Sequence, residues 1–114
     1  MPRERIGIWS TQKSSRFPVK LVETLAADRT LTLEEIERYQ FFAFDPGGAA
    51  RNVVLPAEGE SEGAVLFISN EADAAEIITI QNDTPATLCT PTQNEAAIVW
   101  CDGVSWYGLV GATA

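Results

Sequence analysis

Ala96-Ala97-Ile98-Val99-Trp100-Cys101-Asp102-Gly103-Val104-Ser105-Trp106-Tyr107-Gly108-Leu109 reads as two apolar strands on either side of Asp-Gly, the strongest short-range signal for a β-hairpin. The same grammar recurs upstream. Short apolar runs at 53–55, 65–68 and 77–80 are each bounded by Gly, Pro, Asn or Asp. Turns fall about every ten residues, a spacing that suits a sandwich or barrel. Residues 65–68 are apolar on both faces, which an isolated sheet with one wet side would not tolerate. Ile78 and Ile80 share one face of their strand, Ile77 and Thr79 the other. The pattern predicts an all-β fold, a small antiparallel β-sandwich or barrel. A second sheet or a neighbouring subunit must then cover the surplus apolar face. No internal repeat is strict enough to indicate a solenoid.

Towards the N-terminus the signals are more mixed. Residues 40–44 form a strand with Phe41, Phe42 and Phe44, stopped at Asp45-Pro46-Gly47-Gly48. There Pro presets one turn residue and Gly permits positive φ at the next. Residues 51–55 are the return strand, closed by Pro56. Thr32 and Glu35 have capping-box spacing, and Leu33, Ile36 and Tyr39 recur at helical intervals. One short helical turn near residues 33–39 is therefore expected, although 30–33 also alternates as a strand would. Residues 19–22 open the ordered body as a strand. The division that follows is an extended basic arm over residues 1–18 and a β-rich body over 19–114.

Charge separates the same two parts. The first twenty residues hold Arg3, Arg5, Lys13, Arg16 and Lys20 against Glu4 alone, a net +4. From Asn52 onward there is no Lys or Arg, yet nine Asp and Glu; the whole chain has no His and a formal charge of −8. An acidic body repels nucleic-acid phosphate, so nucleic acid is not an expected partner. No apolar run approaches the ~20 residues of a membrane span, and the N-terminus lacks the apolar core of a secretory signal. No membrane partner and a cytoplasmic site of synthesis are the expectations. The 114-residue chain is one domain of ordinary size, which gains from burying further surface in an oligomer.

A search for chemistry returns little. Cys89 and Cys101 lie twelve residues apart, with no CxxC and no His with which to build a metal site, so no metal and no cofactor are expected. Free thiols in neighbouring strands fit them better than a disulfide does. No His is present to activate a Cys or Ser nucleophile. The run Glu58-Gly59-Glu60-Ser61-Glu62-Gly63 invites an ion-binding reading, but without EF-hand spacing it fits a solvated loop better. Gly47-Gly48 lacks the spacing and the Lys of a phosphate loop. Trp100, Trp106 and Tyr107 could stack on a sugar. Alternation is expected to bring Trp100 and Trp106 near one another across the hairpin, where core packing is the commoner use. No catalytic residue is assigned and no enzyme is expected.

The stretch Phe44-Asp45-Pro46-Gly47-Gly48-Ala49-Ala50-Arg51-Asn52-Val53-Val54-Leu55-Pro56, then Glu62-Gly63 ahead of residues 65–70, then Cys101-Asp102-Gly103-Val104-Ser105-Trp106, resembles a pattern of tailed-bacteriophage virion proteins. In those a DPGGA-R-V-LP turn is followed by eG…I-N and closes with cDGt-W. The resemblance spans about residues 30–112 and rests on turn residues and alternating apolar positions. It implies a homotrimeric structural β-domain of the kind found in capsid decoration (cement) proteins and head fibres. Lambda-like head decoration proteins are similar in length and are trimeric, with an N-terminal arm that orders on the shell. The implied function is a cement protein that binds the outer surface of the head, made in the host cytoplasm and resident in the virion. Its partners are then itself and the major capsid protein. The alternative is a tail-fibre or tail-tip carbohydrate-binding module. On the decoration reading Arg3, Arg5, Ile6, Ile8, Trp9, Lys13 and Arg16 form a capsid-binding arm, mobile until it docks. Val65, Phe67, Ile78, Ile80, Trp100 and Trp106 supply trimer or core packing.

Overall fold

The structure, a computed structural model, describes residues 16–112. Those residues form a mainly β body of nine strands and one short helix. The order is β1 (Glu23–Thr24), β2 (Arg29–Thr30), α1 (Leu33–Arg38), β3 (Phe41–Asp45), β4 (Arg51–Val54), β5 (Val65–Asn70), β6 (Ile78–Gln81), β7 (Thr87–Cys89), β8 (Glu95–Cys101) and β9 (Trp106–Ala112), with a 3-10 turn at Glu58–Glu60. Among the described residues no helix is long and apolar enough to cross a membrane.

The strands divide between two sheets, β1-β3-β5-β8-β9 and β2-β4-β6-β7. Both are mixed, which corrects the expectation of an antiparallel body. Strand pairs β1/β3, β2/β4, β3/β5 and β4/β6 are parallel, and only β5/β8, β6/β7 and β8/β9 run antiparallel. The reason lies in the connections. Asp45-Pro46-Gly47-Gly48 does not fold β4 back onto β3; it carries the chain across to the other sheet. Each later return lands one strand further along, so the first six strands wind as a coil. Register partners on successive windings (Glu23↔Phe44, Arg29↔Val53, Phe41↔Phe67, Arg51↔Ile78) lie 21, 24, 26 and 27 residues apart. Windings of unequal length leave no period in the sequence.

Alternation does the rest. Phe42, Phe44, Leu66, Ile68, Ala97, Val99 and Cys101 from one sheet and Val53, Ile78 and Ile80 from the other enter a single buried apolar cluster. Leu25, Leu31, Leu55 and Ile36 of α1 close its ends. Helix α1 forms as its signals predict. The Thr32 hydroxyl accepts from the Glu35 N–H at 3.1 Å, and the Glu35 carboxylate accepts from the Thr32 N–H at 3.0 Å.

Two devices hold the crossings. In the first, Asp45 accepts from the Gly47 N–H at 3.0 Å, Arg51 donates to the Pro46 carbonyl at 2.8 Å, and the Asp45 carbonyl accepts from the Leu25 N–H at 2.8 Å. Gly47 sits at φ +76°, and a Cβ there would lie 2.4 Å from the Leu25 carbonyl oxygen. In the second, Arg29 of β2 donates through Nε to Glu23 of β1 at 2.8 Å and through Nη1 to Glu35 of α1 at 3.0 Å. One guanidinium thereby ties an edge of each sheet to the helix.

At the start of the body the expected strand over 19–22 is not formed. Val19 makes a single parallel bridge to Phe41, and β1 begins only at Glu23. The Pro18 carbonyl nonetheless already accepts from the N–H groups of Gln40 and Phe41. Of the arm, Arg3, Arg5, Ile6, Ile8, Trp9 and Lys13 lie outside the described residues, while Arg16 is exposed.

Two outcomes are expected. Gly47→Ala meets both the left-handed φ and the Leu25 carbonyl, and should cost about 2 kcal/mol or more in urea unfolding. The Arg29 guanidinium beside Glu35 holds that carboxyl at about 2, against its ordinary 4.5. A depressed carboxyl stabilises the fold fully above pH 4.5, and that share is lost as pH falls towards 2. Glu35→Gln should therefore lower the urea midpoint at neutral pH, with the gap to the parent protein closing between pH 4.5 and 2.

Candidate assembly surface

The outward positions of the five-stranded sheet line up in rows because register fixes which side chains stand side by side. Phe41, Phe67, Ile98 and Leu109 are successive partners across β3, β5, β8 and β9. Beside them run Val65, Trp100 and Tyr107 on one flank, and Ala43, Ser69, Ala96 and Gly111 on the other. These three rows contain no charged side chain. Phe17 stacks on Phe41 with centroids 6.2 Å apart, Phe41 on Phe67 at 4.7 Å, and Trp100 on Tyr107 at 5.8 Å. Val65, Ile98, Tyr107 and Leu109 keep 37, 40, 45 and 61% of their surface exposed.

The four-stranded sheet is different. Its outward positions, with Asn52 opposite Thr79 and Val54 opposite Gln81, are mostly polar. Such a face hydrates without cost, whereas the other leaves large apolar side chains in water.

The small-residue row makes a trough. One groove of about 270 Å³ lies among Val19, Phe41, Ala43, Phe67, Ser69 and Ala96. Acids stand along the margins. Glu71 accepts from Ser69 Oγ at 2.8 Å, Glu95 from the Thr92 N–H at 2.8 Å, and Asp102 from the N–H groups of Val104 and Ser105 at 2.9 and 2.8 Å. Backbone donors draw the carboxyls of Glu95 and Asp102 below their ordinary range, so both stay anionic at neutral pH.

Of the six residues expected in trimer or core packing, three are core. Ile78 and Ile80 are fully buried and Trp106 is 4% exposed. Val65, Phe67 and Trp100 lie instead in the outward rows. The two tryptophans do not meet across the hairpin, correcting that expectation. Cys101 pairs with Trp106 and Trp100 with Tyr107, so the loop is the four residues Asp102 to Ser105. Any even-numbered loop places Trp100 and Trp106 on opposite faces. Trp106 therefore points inward and donates Nε1–H to the Pro56 carbonyl at 2.9 Å. It is too buried to stack on a sugar.

Elsewhere reactive groups are muted. Cys89 and Cys101 are free thiols, and burial pushes both above the ordinary thiol range, away from thiolate chemistry. They lie on β7 and β8, in different sheets rather than in neighbouring strands. The acidic loop at 58–62 is pinned by the buried Ser61, whose hydroxyl donates to the Ala57 carbonyl at 2.8 Å. A carboxylate grouping that sequence reading missed joins Asp45, Asp73 and Glu76, with one oxygen from each within 4.8 Å of the others. Oxygens so spaced could share a cation, but Asp45 is remote in the chain from Asp73 and Glu76, and the three fit no motif spacing. Asp73 stands exposed, so solvent reaches the group.

Opposite placement of the tryptophans has a measurable consequence. Trp106→Ala should cost about 3–5 kcal/mol in urea unfolding, as a cavity-forming core change. Trp100→Ala loses an exposed aromatic pair and should cost about 1 kcal/mol.

Comparison with protein-family models, with curated proteins and with solved structures finds no match to this chain.

Proposed function

We propose that this chain is a non-enzymatic structural protein, a decoration (cement) subunit that binds the outer surface of a tailed-phage head as a homotrimer. The observation that carries the assembly part is the block of three uncharged outward rows on the five-stranded sheet, four strands wide. Apolar surface of several hundred Å², at ~25 cal/mol per Å², is enough to drive association. Charge directs it there, because two bodies as acidic as this one meet with least repulsion where neither presents a carboxylate. The phage part rests on the turn pattern from Phe44 to Pro56 and from Cys101 to Trp106. In this reading the body acts as a small β-sandwich with a wet sheet and a docking sheet. The major capsid protein is the second partner, met by the basic arm through Arg3, Arg5, Ile6, Ile8, Trp9, Lys13 and Arg16. The site of action is the capsid surface of a virion assembled in the host cytoplasm.

The tail-tip carbohydrate reading keeps one observation in its favour, the stack of half-buried Trp100 on exposed Tyr107. Sugar binding by that pair would be lost on Trp100→Ala, and glycan-array binding with that loss would displace the decoration reading.

Light scattering over a concentration series tests the assembly surface. The parent protein is expected to approach trimer mass, whereas Ile98→Glu and Leu109→Glu, both at exposed positions, should stay monomeric with nearly unchanged melting temperature. Binding to phage heads lacking decoration should fall in parallel. A parent protein that remains monomeric throughout, with no binding to heads, overturns the proposal.

A further inference from the structure

Of the four sheet edges, three are blunted. Strands β1 and β2 have two residues each and carry the ion pair of Glu23 with Arg29, and β7 has three residues between Pro85 and Pro91. Strand β9 is the exception. Trp106–Ala112 runs seven residues along the edge of its sheet, with no Pro, no charge and no break in register against β8. Hydrogen bonding fixes which of its peptide groups face outward. Cys101 commits its N–H to Ala64 and its C=O to Gly63, so its register partner Trp106 turns its own N–H and C=O away from β8. By alternation Gly108, Val110 and Ala112 do the same, while Tyr107, Leu109 and Gly111 bond β8. Among the described residues no backbone group pairs with that outward row.

The side chains beside the row are also uncovered. Cys89 closes the inner side at Gly108, where a Cβ would lie 2.9 Å from its Sγ. Two residues on, Val110 stands on the same side as the buried Ala97 and yet keeps 42% of its surface exposed. On the outer side Leu109 is exposed. Acids stand at both ends of the strand: Asp102 accepts from the Tyr107 hydroxyl at 3.4 Å, and Glu95 is the register partner of Ala112. A second copy that paired its β9 antiparallel over the whole strand would set Trp106 opposite Ala112 at each end. Asp102 of one chain would then approach Glu95 of the other. Like charges at both ends oppose that pairing, whereas a strand with cationic ends is attracted there.

We propose that the outward edge of β9 takes up an extended segment of another protein, about as long as the strand, apolar at alternate positions and carrying Lys or Arg at its ends. The segment adds a strand to the five-stranded sheet. Its main-chain hydrogen bonds to Trp106, Gly108, Val110 and Ala112 supply affinity, and the surfaces of Leu109 and Val110 select apolar side chains. The added strand lies beside the sheet and not over its three outward rows, so the inference stands apart from the trimer reading.

The probe is an acetylated and amidated peptide, Lys-Val-Thr-Val-Thr-Val-Lys, added to the isotope-labelled full-length chain. Amide exchange followed by NMR should slow at Gly108 and Val110, whose N–H groups face outward, and stay unchanged at Tyr107 and Leu109, which already bond β8. Binding should saturate by about 1 mM. Val110→Pro removes an outward N–H where an edge strand tolerates proline, and should abolish binding while the spectrum keeps its folded dispersion. Without any change to the protein, N-methylation along the peptide backbone should weaken binding about tenfold or more, and so should Glu in place of both Lys. No saturable binding by about 1 mM overturns the proposal, as does binding that survives Val110→Pro or backbone N-methylation. Equal binding of the Glu-ended peptide overturns the basic partner. Slow exchange at Gly108 and Val110 in the protein alone would mean that the edge is already occupied, by a second copy if it grows with concentration and by the same chain if it does not, and either result overturns the proposal.

Discussion

The fold depends on one constraint: inward side chains of two sheets must share a single apolar core. Phe42, Phe44, Leu66, Ile68 and Val99 come from one side and Val53, Ile78 and Ile80 from the other. Neither sheet could bury its inner face alone, and β1 and β2, of two residues each, have no stability outside this arrangement. Crossing from sheet to sheet is how the chain meets the requirement. The Gly47 turn serves this requirement at the β3-to-β4 crossing, and the Arg29 clip holds the edge strands β1 and β2 to the helix.

That constraint is silent about the opposite faces, and there the two sheets diverge. Thr79, Gln81 and Asn52 give the four-stranded sheet an outside that water satisfies. Phe41, Phe67, Ile98 and Leu109 give the five-stranded sheet an outside resembling an interior. Leaving such a face in water is unfavourable, and covering it is the physical opportunity on which the assembly reading draws. The acidic margin then selects among possible covers, favouring basic or uncharged partners over acidic ones.

Much of the local structure was legible before any coordinates. The helical turn at 33–39 follows from Thr32 and Glu35, and the structure forms their reciprocal cap. The positive φ at Gly47 follows from Pro46-Gly47-Gly48, and the β8–β9 hairpin from Asp102-Gly103. The pairing of strands was not legible. A hairpin and a crossing between sheets begin with the same turn residues, and only the far end of the next strand reveals which has formed. The tryptophans are a different case: the two-residue Asp102-Gly103 loop read from the sequence and the four-residue loop that forms have the same parity, so alternation itself already put Trp100 and Trp106 on opposite faces. Asp45 meets Asp73 and Glu76 only through packing, from a position without motif spacing.

By itself the sequence determined what alternation, turn chemistry and charge can determine: strands with apolar faces, their breaks, a capped helical turn, an acidic body behind a basic segment, and a surplus of apolar residues on two-sided strands such as 65–68. Tertiary structure decided which sheet each strand joined, in which direction, and hence which of those apolar residues became core. Leu66 and Ile68 went inward, and Val65 and Phe67 outward, on a strand that presents apolar side chains both ways. The physical reason is that alternation is a property of one strand, whereas the side that faces the core depends on the strands beside and opposite it, and these come from other parts of the chain.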